Sequence, residues 1–181
     1  GYVPVLATAM AVMFLRTLLA ARLLDVPEFG LFGVGMLVSN SFCMFGCFGF
    51  YLLLQRDLPM LIAKGRRLRG ALVLRQTLLF ALVGFVGFLP LSLMGLFSVS
   101  PSFFAISLLN GFAQQVFLVV TLQSRSEGRS FRFAIDNLLR AVAVFAVIAL
   151  SGWISGTAFS MLLAESFVTI FLAVWVYAAI Y

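Results

Sequence analysis

Apolar residues fill this chain in six long runs, and the short breaks between them hold nearly all of its charge. A helix that crosses a bilayer needs roughly 20 consecutive apolar residues, because each one adds only about 1.5 Å of rise. Six segments meet that length: Tyr2–Leu24, Leu31–Leu54, Leu72–Leu93, Phe103–Leu122, Asn137–Ser155 and Thr157–Tyr181. The breaks carry specific punctuation. Pro27 and Gly30 close the first turn, Pro59 sits in the second connection, and Pro101 starts the fourth helix. Ser151, Gly152, Ser155 and Gly156 mark a tight hairpin between the fifth and sixth. No alternation of period two marks a strand. The pattern predicts an all-α integral membrane protein, a single six-transmembrane-helix bundle over residues 1–181.

Composition agrees with that class. Of 181 residues, 64% are hydrophobic and 10% charged, whereas soluble domains carry roughly 25% charge. A net charge of +6 would suit a nucleic-acid binder, but here the charge sits in short connections, which is a mark of membrane topology. No nucleic-acid partner is expected. The first segment has an Arg in its middle, lacks a basic leader and is too long for a signal-peptide core, so it reads as a retained helix. The chain starts at Gly1 and ends inside an apolar run, so it is expected to be a piece of something longer.

Orientation follows from Lys and Arg. Arg56, Lys64, Arg66, Arg67, Arg69 and Arg75 fall in or beside the second connection, and Arg125, Arg129, Arg132 and Arg140 in or beside the fourth, ten of the twelve basic residues. The opposite side has Arg22, balanced by Asp25 and Glu28. The positive-inside rule puts both termini in the cytoplasm. The basic connections fix topology and rest on anionic lipid, with an anionic headgroup site as the alternative reading. Asp136 and Arg140 lie four apart at the start of the fifth helix, the spacing of an ion pair.

Polar residues inside the spans carry the candidate chemistry. An ionisable group at mid-bilayer costs at least about 2.5 kcal/mol and is therefore functional or paired. Counting rise from the outer ends, Arg16 and Glu165 both lie roughly 12 Å deep, Asn40 about 13 Å, and Asn110 and Gln114 about 10 to 17 Å. These five side chains from four helices form one predicted belt. On the fourth helix Ser107, Asn110, Gly111, Gln114 and Thr121 share a face that hydrogen-bonds to other helices or lines a wet cavity. Glu165 and Thr169 repeat this on the sixth.

Arg16 and Glu165 have two readings that do not exclude each other. They neutralise one another as a clamp, or Arg16 binds an anionic group through the planar fork of its guanidinium while Glu165 tunes it. A carboxylate such as Glu165 also suits a coupling cation or proton. The second helix carries Gly35, Ser39, Cys43 and Cys47 at four-residue spacing, a small-residue stripe for close backbone approach, with Gly84 and Gly87 of the third helix as its expected facing surface. Both thiols read as packing residues. The chain has no His and no phosphate-binding loop or nucleophile motif, so no enzyme activity, metal or cofactor is expected.

The run Ala21-Arg22-Leu23-Leu24-Asp25-Val26-Pro27-Glu28-Phe29-Gly30 resembles the R-L-L-G-x-x-E-F-G turn after the first helix of polysaccharide flippases, with Asp25 where Gly is usual. These belong to the multidrug/oligosaccharidyl-lipid/polysaccharide exporter superfamily. Gln55-Arg56-Asp57-Leu58-Pro59, and Arg132-Phe133-Ala134 through Leu138-Leu139-Arg140-Ala141, fit the same group. The resemblance implies two lobes of six or seven helices facing each other across a cavity in the bacterial inner membrane. It implies a lipid-linked oligosaccharide, carried on polyprenyl pyrophosphate, as the substrate moved by alternating access. Arg16 matches the position of a helix 1 cation, and Arg22 is a second candidate near the outer mouth. Six helices would form the N-terminal lobe, completed by a second lobe after Tyr181 or by a second copy. A drug/cation antiporter of the same superfamily, or a non-transporting subunit of a polysaccharide assembly complex, are the alternative readings.

Overall fold

A computed structural model describes residues 1–93 and 99–180. The final residue of the sixth predicted segment, Tyr181, lies outside them. Seven helices are described: α1 Val3–Leu23, α2 Val26–Phe45, α3 Phe50–Ala63, α4 Arg67–Leu93, α5 Pro101–Ser126, α6 Ser130–Ser155 and α7 Ala158–Ile180. Six of them, all but α3, are long and apolar enough to cross a membrane. The protein is an all-α, multi-pass membrane bundle.

The predicted second segment, Leu31–Leu54, is two helices. Its apolar run is unbroken, so hydropathy alone reads through the join. The backbone does not: Phe48 and Gly49 take left-handed conformations, with φ of 51° and 80°, and separate α2 from α3. Without a Cβ, glycine enters that region freely. α2 also starts earlier than predicted. Asp25 is its N-cap residue, and Pro27 and Glu28 fall in its first turn, where a proline lacks no hydrogen bond.

The basic stretch after Leu54 is mostly helical and not a loop. Pro59 lies inside α3, and α4 follows a short turn at Lys64-Gly65-Arg66. Likewise α6 begins at Ser130, seven residues before the predicted start, so Arg132, Asp136 and Arg140 are helical. Polar and charged residues at a helix end look like a loop by hydropathy, yet they are good helix formers where the chain leaves the apolar layer.

α5 is the central pillar. It packs against α2, α3, α4, α6 and α7, and most of its length is buried. The expected polar stripe is buried there: Ser107, Asn110, Gly111, Gln114 and Thr121. Between apolar helices in lipid, association depends on close packing and hydrogen bonds, not on escape from water. Ser39 of α2 donates to the Ser107 carbonyl at 2.8 Å. A Cβ on Gly111 would lie 2.5 Å from the Ser39 carbonyl oxygen, so only glycine permits this approach. A Cβ on Gly84 of α4 would meet the Gly46 carbonyl more closely still, while Gly87 has open space around it. The small-residue stripe of α2 thus faces α5 along Gly35 and Ser39, and α4 takes over at Gly46. Cys43 is half-buried, Cys47 is buried, and both are free thiols.

The bundle closes where α1 meets α2 and α6 meets α7. Glu28 accepts a hydrogen bond from the Ala158 backbone N–H at 2.7 Å, capping the start of α7. Below it Ala20, Phe32, Phe103, Ile148, Met161 and Leu162 pack as the largest apolar cluster. The perimeter is apolar: Phe14, Leu37, Val83, Phe171 and Trp175 are all exposed, as surfaces facing lipid must be.

Candidate functional site

Among the described residues three charged side chains are buried within the bundle: Arg16 on α1, Arg140 on α6 and Glu165 on α7. Arg16 and Glu165 each lie seven residues from the closed end, which puts them at the same depth of about 11 Å. They meet there. Arg16 Nη1 donates to Glu165 Oε1 at 2.5 Å, and the Glu165 side chain is 0% exposed. The second guanidinium nitrogen reaches the Met36 sulfur of α2 at 3.8 Å. Asn110 of α5 donates to the same sulfur at 4.0 Å, so Met36 joins the pair to the polar stripe.

Arg140 is the residue that sequence reasoning misplaced. Ten residues into α6, about 15 Å from its start, it is 8% exposed. No ion pair joins it to Asp136 among the described residues. Its guanidinium lies over the Phe117 ring of α5, 5.0 Å from the centroid, in a cation–π contact. It also lies within electrostatic reach of both Glu165 and Arg16. Moving the helix start back to Ser130 supplies the missing signal, because Arg140 then falls well inside the apolar span.

The charge balance is uneven. Among the described residues, two buried guanidinium groups stand against one buried carboxylate, and only Arg16 is ion-paired to it. Arg16 Nε, Arg140 Nε and Glu165 Oε2 are buried with no hydrogen-bond partner among the described residues. So are Asn110 Oδ1, Thr169 Oγ1 and both amide atoms of Gln115. Buried polar groups are normally satisfied, and exceptions call for an explanation. Donors (Arg16 Nε, Arg140 Nε, Gln115 Nε2) and acceptors (Glu165 Oε2, Asn110 Oδ1, Gln115 Oε1) are both left over, so the site has unspent hydrogen-bonding capacity of either kind.

The predicted belt is partly assembled. Arg16, Glu165 and Asn110 come together, and Gln114 is buried one turn beyond Asn110. Asn40 does not join them. It is exposed on α2 beside the buried Ser39, because the α2 face that packs on α5 runs through Gly35, Ser39 and Phe42. Arg22 is exposed too, at the rim of a surface hollow of about 500 Å³ with Leu15, Leu18 and Phe145. Gln115, 1% exposed, was not anticipated; beside Gln114 it widens the polar face of α5. No group of three or more His, Cys, Asp or Glu able to hold a metal occurs among the described residues. Compared with protein-family models, with curated proteins and with solved structures, the chain finds no match.

Proposed function

We propose that this chain is one lobe of a lipid-linked oligosaccharide flippase of the bacterial inner membrane, with both termini cytoplasmic. The observation that carries the reading is the unbalanced buried charge among the described residues: Arg16 and Arg140 against Glu165. An excess guanidinium in a low-dielectric interior favours an anionic ligand, and its planar fork matches phosphate. Glu165 holds Arg16 in place until a phosphate of the carrier lipid competes for it. The resemblance of the Ala21–Gly30 run to the flippase turn supports the same reading, and a second lobe or second copy encloses the pathway.

Deleting the gene for the intact protein tests this. Lipid-linked intermediates are expected to accumulate while surface polysaccharide is lost. Wild type restores both; Arg16→Ala or Arg140→Ala at equal expression does not. Arg16→Lys is expected to impair export more than folding, since it keeps the charge and loses the fork. Unaltered lipid-linked intermediates in the deletion strain would refute the proposal.

One observation favours a second reading, in which the chain is a non-transporting subunit. The Arg16–Glu165 pair is fully internal to the lobe, as an interhelical clamp would be. In that case Arg16→Ala lowers the amount of folded protein, and glycan export follows that amount.

A further inference from the structure

Among the described residues α4 and α7 do not pack on one another. Where they part, a surface groove of about 520 Å³ runs along α4 from Leu68 to Leu78, with Tyr177 of α7 on its far side. On the α4 side its wall is leucine and alanine except for Arg75, which is exposed. Arg75 makes no hydrogen bond or ion pair among the described residues. No Asp or Glu occurs in the chain between Leu58 and Ser126, so neither α4 nor α5 offers it an acid. The nearest acid before α4 in sequence, Asp57, is held by Arg56 at 2.7 Å.

The mouth of the groove is basic. Leu68 lies in the first turn of α4, beside Arg66 and Arg69, which are exposed, and the turn also holds Lys64. A helix end with several cations, opening onto an apolar channel on the membrane-facing perimeter, matches a phospholipid in both of its parts. The acyl chain lies along Leu72, Leu74 and Leu78. The phosphate takes the charge of Arg75, whose long stem lets the guanidinium snorkel toward the headgroup layer. Clusters of cations at the end of a span attract anionic lipid in preference to zwitterionic lipid.

We propose that the α4–α7 groove is a binding site for one anionic phospholipid, with Arg75 as its phosphate ligand. The inference is independent of what the protein transports.

Native mass spectrometry of the intact protein, released from nanodiscs with equal phosphatidylglycerol and phosphatidylcholine of identical chains, tests it. Wild type is expected to retain phosphatidylglycerol over phosphatidylcholine by about tenfold. Arg75→Gln, at an exposed position, is expected to bring the ratio near one with an unchanged melting temperature. Ala71→Trp, which fills the groove and keeps the charge, is expected to lower retention of both lipids. Equal retention by wild type would overturn the site. So would a ratio that survives Arg75→Gln, or one lost equally with Arg22→Gln at the opposite end of the bundle.

Discussion

Arg16, Arg140 and Glu165 do not share their charge evenly, and the imbalance sets what each substitution costs. Removing Arg16 leaves one guanidinium and one carboxylate within reach of each other, formally neutral. Removing Glu165 leaves two cations in a buried site with no acid. Breaking a buried pair so that charge is uncompensated costs roughly 3–5 kcal/mol. Glu165→Ala is therefore expected to lower stability by about that much, and Arg16→Ala by less, as read from melting temperatures in detergent. The reverse order would mean that Arg140 does not act on Glu165. The Arg16–Glu165 pairing was legible in the sequence, because equal distances from one end of the bundle put both at one depth. Arg140 was not. Its depth depends on where α6 begins, and a start rich in Arg, Asp and Asn looks like a loop until the helix is seen.

Within single elements, glycine contacts divide α2 from its neighbours. A side chain at Gly111 would run into the Ser39 carbonyl of α2, a backbone atom that cannot swing aside. Gly111→Ala is expected to push α2 from α5 and cost on the order of 1–3 kcal/mol, the usual range for overpacking. Gly87→Ala meets nothing within 4 Å and is expected to be near neutral. Thermal unfolding of the two variants side by side checks the contrast. The sequence marked both glycines of α4 as a facing surface, and only Gly84 proves to be one. Spacing predicts which residues share a helix face; the azimuth of the partner decides which of them touch. The break between α2 and α3 was hidden for a related reason, since Phe48 and Gly49 change the backbone without changing the hydropathy.

Across the molecule, the six spans and their arrangement in one bundle follow from hydropathy and length, which is why five of the predicted segments survive with shifted ends. Orientation in the membrane rests on charge and is open to direct measurement. Single cysteines replacing Lys64 or Arg129, introduced after removal of Cys43 and Cys47, are expected to resist an impermeant maleimide in intact cells. Replacements of Asp25 or Ser155, at the opposite end, are expected to react. Labelling at Lys64 would invert the topology and bring Arg22 to the cytoplasmic side.

Two of the long-range polar bonds made by the first helical hairpin share a destination. Arg16 finds Glu165, 149 residues later, and Glu28 finds the Ala158 amide, 130 residues later; both partners belong to α7. During synthesis the hairpin inserts with Arg16 and Glu28 unmatched, and both wait until α7 is made. Insertion of α7 is then the event that supplies both partners. A product truncated before α7 keeps Arg16 without its carboxylate inside the bilayer, and is expected to be cleared faster than the chain that includes α7, as read by pulse-chase.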